Sequence, residues 1–421
     1  MFSRAAPRVT ARAANFAQCE ASQLTPRTWR PVQQHLSCRY RSTAREQFRE
    51  QFRKSPIMFP LALLSVVGVA GWAVVYIPWY YKNVIQKPYH NFPEPVAKKL
   101  RRAIFYSRGK HLDVREANKY FRQALQLAIE MGMDQFSDEI MGVKYAIAAL
   151  FEEQGHYDMA CDVLEIMRAD TQRWIDEFSH KHITDGNRSR VKKNMVQICL
   201  KVGQLYDCKY VNDPELGEKR LVEAVERALE EQQRRETEGV KPGEGDWMTN
   251  EEIGATLETL GQHYEQNDAH YLALPLFLRA LELCSPTSCH SVVLMNNVST
   301  SVAQQTPPPQ ALASSSPSSP SSFPNTPAPP RSALVEQARQ WANKALERAG
   351  SMTEQDEECN VGCAVATHNL GEFFEMEGRI EEARQKYTEA KRLAKKLSFR
   401  EGQANAQAGL ARLNELEKVQ K

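Results

Sequence analysis

From about residue 96 onward, apolar positions recur at helical spacing, and small residues stand at fixed points among large ones. The stretch TLETLGQHYEQNDAHYLALPLFLRALELCSPT, residues 256–287, contains two such apolar faces on either side of a short polar break. This pattern predicts two antiparallel helices joined by a turn. Small residues let the two backbones approach, and aromatic rings fill the grooves beside them. The residues that mark the pattern are Leu260, Gly261, Tyr264, Ala273, Phe277 and Ala280.

The same register returns elsewhere in the chain. A second clear copy ends near residue 396, a good copy covers residues 141–170, and weaker copies need a two-residue insertion. Each hairpin leaves one apolar face uncovered, which a neighbouring hairpin can bury. The sequence therefore predicts an all-α solenoid of about six hairpins, closed by a polar-faced C-terminal helix. The marker residues of the further copies are Ala148, Ala160, Gly203, Leu370, Gly371, Phe374, Ala383, Tyr387 and Ala390.

This register resembles the tetratricopeptide repeat, whose unit is about 34 residues long. The resemblance covers residues 96–303 and 334–421. Between them, residues 304–333 are rich in serine and proline, a composition that predicts a disordered insertion. In this family the first helix of each hairpin lines a protein-binding groove. Carried over by register, the groove positions are Tyr145, Gln204, Glu258, Gln262, His368, Asn369 and Glu372.

The N-terminal segment, residues 1–54, carries ten Arg and one Lys against three Glu, a balance of +8. Arg4, Arg8 and Arg12 are spaced four apart, and no acid precedes Glu20. This composition is typical of a mitochondrial presequence, so we expect residues 1–54 to be a disordered targeting segment, with a possible cleavage site after Tyr40. The alternative is a disordered basic tail. The rest of the chain carries a balance of −6, which argues against nucleic acid as a partner.

Residues 55–81 contain no charged side chain, and aromatic residues crowd the C-terminal end of the segment. A run of this length can span the hydrocarbon of a bilayer, and Trp and Tyr favour its interface. The sequence predicts a single transmembrane helix that acts as an anchor, followed by a proline-containing spacer over residues 82–95. Basic residues stand on both sides of the span and leave its orientation open. The presequence would place the N-terminus in the matrix and the solenoid in the intermembrane space.

The chain lacks the sequence patterns of common catalytic sites. It contains no phosphate-binding loop, no dinucleotide-binding turn and no nucleophile elbow. We therefore expect no enzymatic activity, no cofactor and no metal site. Of the nine cysteines, Cys284 with Cys289 and Cys359 with Cys363 are close enough in sequence to suggest pairs. Cysteines four apart on one helix fit a disulfide poorly, so the sequence favours free and mostly buried thiols.

Presequence, single span, spacer and repeat solenoid together resemble the fungal tetratricopeptide-repeat adaptor subunit of the mitochondrial inner-membrane i-AAA protease complex. The resemblance implies a non-catalytic adaptor in protein quality control. Its partners would be the inner-membrane ATP-dependent protease subunit, unfolded membrane-protein substrates and the lipid bilayer. Two alternatives remain open: an inner-membrane assembly factor for a respiratory complex of the complex III type, and an import receptor of the outer membrane.

Overall fold

The computed structural model describes residues 44–305, 329–352 and 356–420. Within these ranges it contains 15 α-helices and no strand, and the chain divides into two compact units, Met1–Pro88 and Tyr89–Lys421. The expected presequence up to residue 43 and residues 306–328 of the Ser/Pro-rich insertion lie outside the described residues. The all-α fold class predicted from the sequence is confirmed.

The first unit contains α1 (Ala44–Lys54) and α2 (Met58–Tyr80), which is followed by a π-helical turn at Tyr81–Ile85. Almost every side chain of α2 is exposed, and the helix is long and apolar enough to cross a membrane. It is compatible with the predicted single transmembrane helix. Helix α1 departs from the disorder expected for residues 1–54. Glu46 lies near its N-terminus and Lys54 at its C-terminus, where each charge interacts favourably with the helix dipole. Glu50 also forms an ion pair with Lys54 at 2.8 Å.

The second unit is a stack of six helical hairpins and a closing helix, as predicted. In each hairpin the first helix is called the A helix and the second the B helix. The A and B helices in chain order are α3 (Glu94–Ser107) and α4 (Val114–Glu130), α5 (Asp138–Glu153) and α6 (Tyr157–Phe178), α7 (Asn187–Asp207) and α8 (Pro214–Glu238), α9 (Asn250–Gln266) and α10 (His270–Leu283), α11 (His290–Gln304) and α12 (Arg331–Ser351), and α13 (Glu357–Met376) and α14 (Ile380–Lys396). The closing helix is α15 (Arg400–Gln420).

Local sequence signals set the helix boundaries. Helix α9 begins with a capping box, in which Thr249 and Glu252 each bond the other's backbone N–H. The turn inside two hairpins contains a glycine in the left-handed region, Gly155 at φ 75° and Gly378 at φ 76°. The equivalent turn after α9 has Asp268 at φ 57°, a residue type that tolerates this conformation.

The small residues of the repeat register lie against the large residues of the partner helix. A methyl group at Gly261 would lie 2.7 Å from the ring of Phe277, and one at Gly371 would lie 2.8 Å from the ring of Tyr387. Gly203 faces Leu221 in the same way, at 2.6 Å. These contacts leave no space for a Cβ, so the glycines set how closely the A and B helices pack. Burying each partner side chain contributes about 1.5–3 kcal/mol.

All marker residues of the register are buried or half-buried. Tyr264 and Phe374 are the half-buried ones. The Tyr264 hydroxyl donates to Glu218 at 2.8 Å, and Arg379 stacks over the Phe374 ring at 4.5 Å. In α15 the buried positions Ala406 and Leu413 lie on one side, and the exposed positions are mostly polar, with Leu416 as the one large apolar residue among them. Helix α15 therefore covers the last hairpin with a mostly polar outer surface.

Candidate functional site

The A helices form the inner layer of the stack. Helix α7 contacts α9, α11 contacts α13, and α13 contacts the closing helix, whereas no two B helices of neighbouring described repeats form a comparable contact. A stack whose A helices lie closer together than its B helices curves towards the A helices. The exposed and half-buried side chains of the A helices therefore form a concave surface, which we call the inner face.

Polar side chains bridge consecutive A helices along the inner face. Lys201 of α7 pairs with Glu152 of α5 at 2.8 Å, and Lys193 of α7 pairs with Glu252 of α9 at 2.7 Å. Further along, the side chain of Asn296 in α11 donates to the backbone carbonyl of Gly362 in α13 at 2.9 Å. Much of the polarity of this face is thus used in holding repeats together.

A cavity of about 470 Å³ opens between α5 and α7 on the inner face. Gly142 and Tyr145 contribute from α5, and Arg190, Asn194 and Gln197 contribute from α7. Three polar atoms of these lining residues are buried and have no hydrogen-bond partner: the Tyr145 hydroxyl, Arg190 Nε and Asn194 Nδ2. Asn194 as a whole is only 8% exposed. An unpaired buried polar group costs about 1–3 kcal/mol, and these three atoms lie beneath the surface of the cavity rather than on it.

The charges around the cavity are mixed and partly neutralised. Arg190 pairs with Asp134 at 2.6 Å, and Lys193, which also lines the cavity, is engaged by Glu252. Burial raises the pKa of Tyr145, so its hydroxyl stays neutral and can donate or accept. Asp138 and Asp246 add two carboxylates to the lining. A site that has uncharged hydrogen-bond donors and acceptors, with charges of both signs around them, is better suited to bind a polypeptide backbone than to bind a free anion or cation.

The structure places the predicted groove residues in three different environments. Tyr145 lines the cavity, and Gln204 and Gln262 are exposed on α7 and α9. His368 and Glu372 are half-buried and lie 3.4 Å apart on α13. The other two, Glu258 and Asn369, are buried. Of the seven, only Tyr145 reaches the cavity.

Glu258 and Asn369 are each only 7% exposed, which corrects their expected position on an open groove. Glu258 accepts hydrogen bonds from His290 at 2.7 Å and from Asn297 at 3.3 Å, both on the next A helix. Asn369 donates to Thr300 at 3.3 Å. Both side chains join repeats rather than face a ligand.

Sequence reasoning missed most of the cavity. Gly142 and Gln197 stand six residues before the small marker residues Ala148 and Gly203, so register could have placed them on the inner face. Asn194 lies one further turn towards the N-terminus of α7. Its buried, unpaired state depends on how α5 and α7 come together, and sequence spacing does not report that arrangement.

A disulfide joins Cys289 and Cys359, which are 70 residues apart in sequence and 4.9 Å apart at Cα. This corrects the expectation of free thiols, and it takes one cysteine from each of the two pairs suggested by sequence. Cys284 and Cys363 stay free and half-buried. The pair forms because the N-terminal ends of α11 and α13 lie side by side. Asp356 lies within 4.8 Å of both sulfurs, but sulfurs bonded to each other are not thiolate ligands for a metal.

Beside the disulfide, His290 lies between two carboxylates. One ring nitrogen is 2.7 Å from Glu258 and the other is 2.7 Å from Glu358. The hydrogen bond to Glu258, with a smaller contribution from Glu358, raises the pKa of His290 to about 9 against the opposing effect of burial. The protonated imidazole therefore bridges α9, α11 and α13.

No protein-family model matches the chain. It is 24% identical over 376 residues to a TPR repeat-containing protein of Schizosaccharomyces pombe, which covers 87% of this chain and 89% of the relative. Among solved structures it is similar to BtubC from P. vanneervenii, with 14% identity, 68% of this chain and 91% of that one covered, and a TM-score of 0.44. It is also similar to a putative kinesin light chain of Podosopora anserina with nearly identical TPR-like repeats, with 11% identity, coverage of 63% and 99%, and a TM-score of 0.42.

Hairpin architecture and repeat register together define the fold of this protein as a tetratricopeptide-type α-solenoid. Such folds mediate protein–protein interaction in general, and function depends on the residues that line the groove.

Proposed function

We propose that this protein is a membrane-anchored adaptor that binds segments of other polypeptides on the inner face of its solenoid. The observation that carries the proposal is the cavity between α5 and α7, whose lining combines the exposed Gln197 with acidic and basic side chains. An extended polypeptide offers a carbonyl and an N–H at each residue and can bond such lining side chains without a particular side chain of its own. Recognition would then tolerate many sequences, as an adaptor for unfolded clients requires.

The finer proposal places the adaptor in the mitochondrial inner membrane, with α2 as its single span and the solenoid in the intermembrane space. There it would bring unfolded membrane proteins to the ATP-dependent i-AAA protease. The arginine-rich segment before α2 and the apolar character of α2 support this reading. Anchoring adaptor, client and protease in one bilayer raises their effective concentrations, so modest affinities on the inner face would be sufficient.

The binding role is tested by filling the cavity. A Cβ added at Gly142, which is exposed and lines the cavity, meets nothing within 4 Å, so Gly142→Trp is chosen to place an indole in that space. We expect this variant to weaken binding of a fluorescently labelled unfolded membrane-protein segment at least tenfold in anisotropy titrations. Gln126→Trp, on the exposed side of α4, is the matched control and should bind as the wild type does. Equal affinity of all three proteins would reject the cavity as the binding site.

The partner is tested by purifying the tagged full-length protein from digitonin-solubilised mitochondria and identifying co-purifying proteins by mass spectrometry. Near-stoichiometric recovery of an inner-membrane ATP-dependent metalloprotease is the expected result. Recovery of respiratory-complex subunits without the protease would instead favour an assembly factor. A solenoid that protease digests in mitochondria with an intact outer membrane would favour an outer-membrane receptor.

A further inference from the structure

The first hairpin has a basic surface that neither the repeat packing nor the inner-face cavity uses. Between Glu94 and Asp113 the chain has no acidic residue and contains six Lys and Arg. Lys98, Arg102 and Phe105 lie on one stripe of α3, at spacings of four and three residues. All three are exposed, and Phe105 is 53% exposed. The stripe therefore presents two cations and an aromatic ring to the surroundings.

The turn after α3 extends this surface. Arg108, Lys110 and His111 are exposed, and the His111 ring stacks on Phe105 at 4.6 Å. Leu112, at the end of the turn, is 42% exposed. Stripe and turn form one patch of cationic groups around two apolar side chains. We call it the basic patch; its members are Lys98, Arg102, Phe105, Arg108, Lys110, His111 and Leu112.

The acidic side chains nearest to the basic patch in sequence make other contacts. Glu94 pairs with Arg101 at 2.5 Å, and Asp113 accepts the N–H of Glu116 as the cap of α4. Glu116 itself pairs with Lys119 at 2.9 Å. None of these carboxylates is paired with Lys98, Arg102, Arg108 or Lys110. The cationic charge of the patch is therefore available to an external anionic partner.

The position of the patch along the chain indicates which partner that is. Residues 81–93 join α2 to α3, and a chain of this length spans at most about 40 Å, which limits how far the first hairpin can lie from the membrane that α2 would enter. Clusters of basic residues next to a span are attracted to anionic lipid headgroups, and aromatic side chains favour the same interfacial layer. An apolar centre with a cationic rim matches a headgroup surface in both respects.

We propose that the basic patch of the first hairpin docks on the anionic lipid headgroups of the bilayer in which α2 is anchored. Docking would fix the base of the solenoid against the membrane surface and leave the inner face of the later repeats for clients. This inference rests on the proposed membrane anchoring by α2.

The test uses the full-length protein in nanodiscs of neutral phosphatidylcholine or of phosphatidylcholine with 30% phosphatidylglycerol. Trypsin cleavage after Arg108 and Lys110 is followed by mass spectrometry, with cleavage after the exposed Lys209 in the α7–α8 turn as the internal control. We expect at least fivefold slower cleavage at the patch on anionic nanodiscs, with cleavage after Lys209 unchanged. The protection should disappear in 0.5 M salt, because screening shortens the range of the attraction. Equal cleavage ratios on both lipids would overturn the proposal.

Charge reversal separates this patch from basic residues in general. Lys98→Glu/Arg102→Glu should lose the protection, whereas Lys395→Glu/Lys396→Glu, at exposed positions of α14, should retain it. If polyglutamate protects the patch on neutral nanodiscs while anionic lipid does not, the partner is an acidic protein segment and lipid docking is rejected. A chain that does not co-elute with nanodiscs at all contradicts the anchor itself. That outcome is distinct from co-elution without protection, which contradicts only the docking.

Discussion

At the scale of single residues, the absence of a side chain is as important as its presence. Gly261 lies against the ring of Phe277, and a methyl group there would be 2.7 Å from a ring carbon. We predict that Gly261→Ala lowers the free energy of unfolding by about 1–3 kcal/mol, because the ring or the backbone must shift. Gly142→Ala, in an open part of α5, should instead raise it by about 0.5–1 kcal/mol. Urea denaturation of the two variants measures both effects, and similar values for both would contradict the close-packing argument.

His290 makes a pH-dependent contribution to stability. The pKa in the folded protein, about 9, lies above the ordinary value of 6.5. The stabilisation is therefore fully present below pH 6.5 and is lost as the pH rises through 9. We predict that the melting-temperature difference between wild type and His290→Gln is largest at pH 6 and shrinks by pH 9.5. His156→Gln, in an exposed turn, is the control; a difference that does not change with pH would remove His290 as the cause.

Residues whose role follows from the repeat register were predictable, and residues whose role follows from contact between repeats were not. Gly261, Phe277 and Tyr387 could be assigned to packing because the register fixes which helix faces which. Glu258 occupies a groove position by the same register, yet His290 and Asn297 of the next repeat bury it. The register describes the packing within one hairpin. The hydrogen bonds between neighbouring repeats depend instead on how one hairpin is rotated relative to the next.

At the scale of helices, the disulfide between Cys289 and Cys359 links two neighbouring A helices. Cys289 directly precedes α11, and Cys359 lies in the first turn of α13. It closes a long stretch of chain, and loop entropy gives an upper stabilisation of about 4 kcal/mol. We predict that Cys289→Ser/Cys359→Ser increases hydrogen exchange in α11 and α13 and leaves α5 and α6 unchanged. Cys284→Ser/Cys363→Ser is the matched control, since both thiols are free. Unchanged exchange in α11 and α13 would mean that the packing of the helices alone holds this junction.

The helices and their hairpins were more predictable than the contacts between neighbouring A helices. The six hairpins follow from apolar periodicity and turn residues, which are local properties of the sequence. Cys289 and Cys359 come together only because α11 and α13 are adjacent across an intervening insertion, whereas spacings of four and five residues in sequence suggested the wrong partners. Helix α1 was missed because arginine-rich composition suggested disorder, although its end charges favour a helix.

At the scale of the whole molecule, the two units predict different behaviour towards membranes. Helix α2 exposes an apolar surface, while the solenoid buries its apolar residues in its own core. We predict that the full-length chain stays in the membrane pellet after alkaline carbonate extraction, whereas a chain of residues 89–421 remains in the supernatant. Release of the full-length chain by carbonate would contradict a membrane span.

The disulfide also has a topological consequence. Residues 289 to 359 form a closed covalent ring that includes α11, α12 and the whole Ser/Pro-rich segment between them. A single cut anywhere within that ring opens it but does not separate the two halves of the polypeptide. A protein nicked in the Ser/Pro-rich segment would therefore run as one species without reductant and as two with it, and every hairpin would keep its partners after the cut.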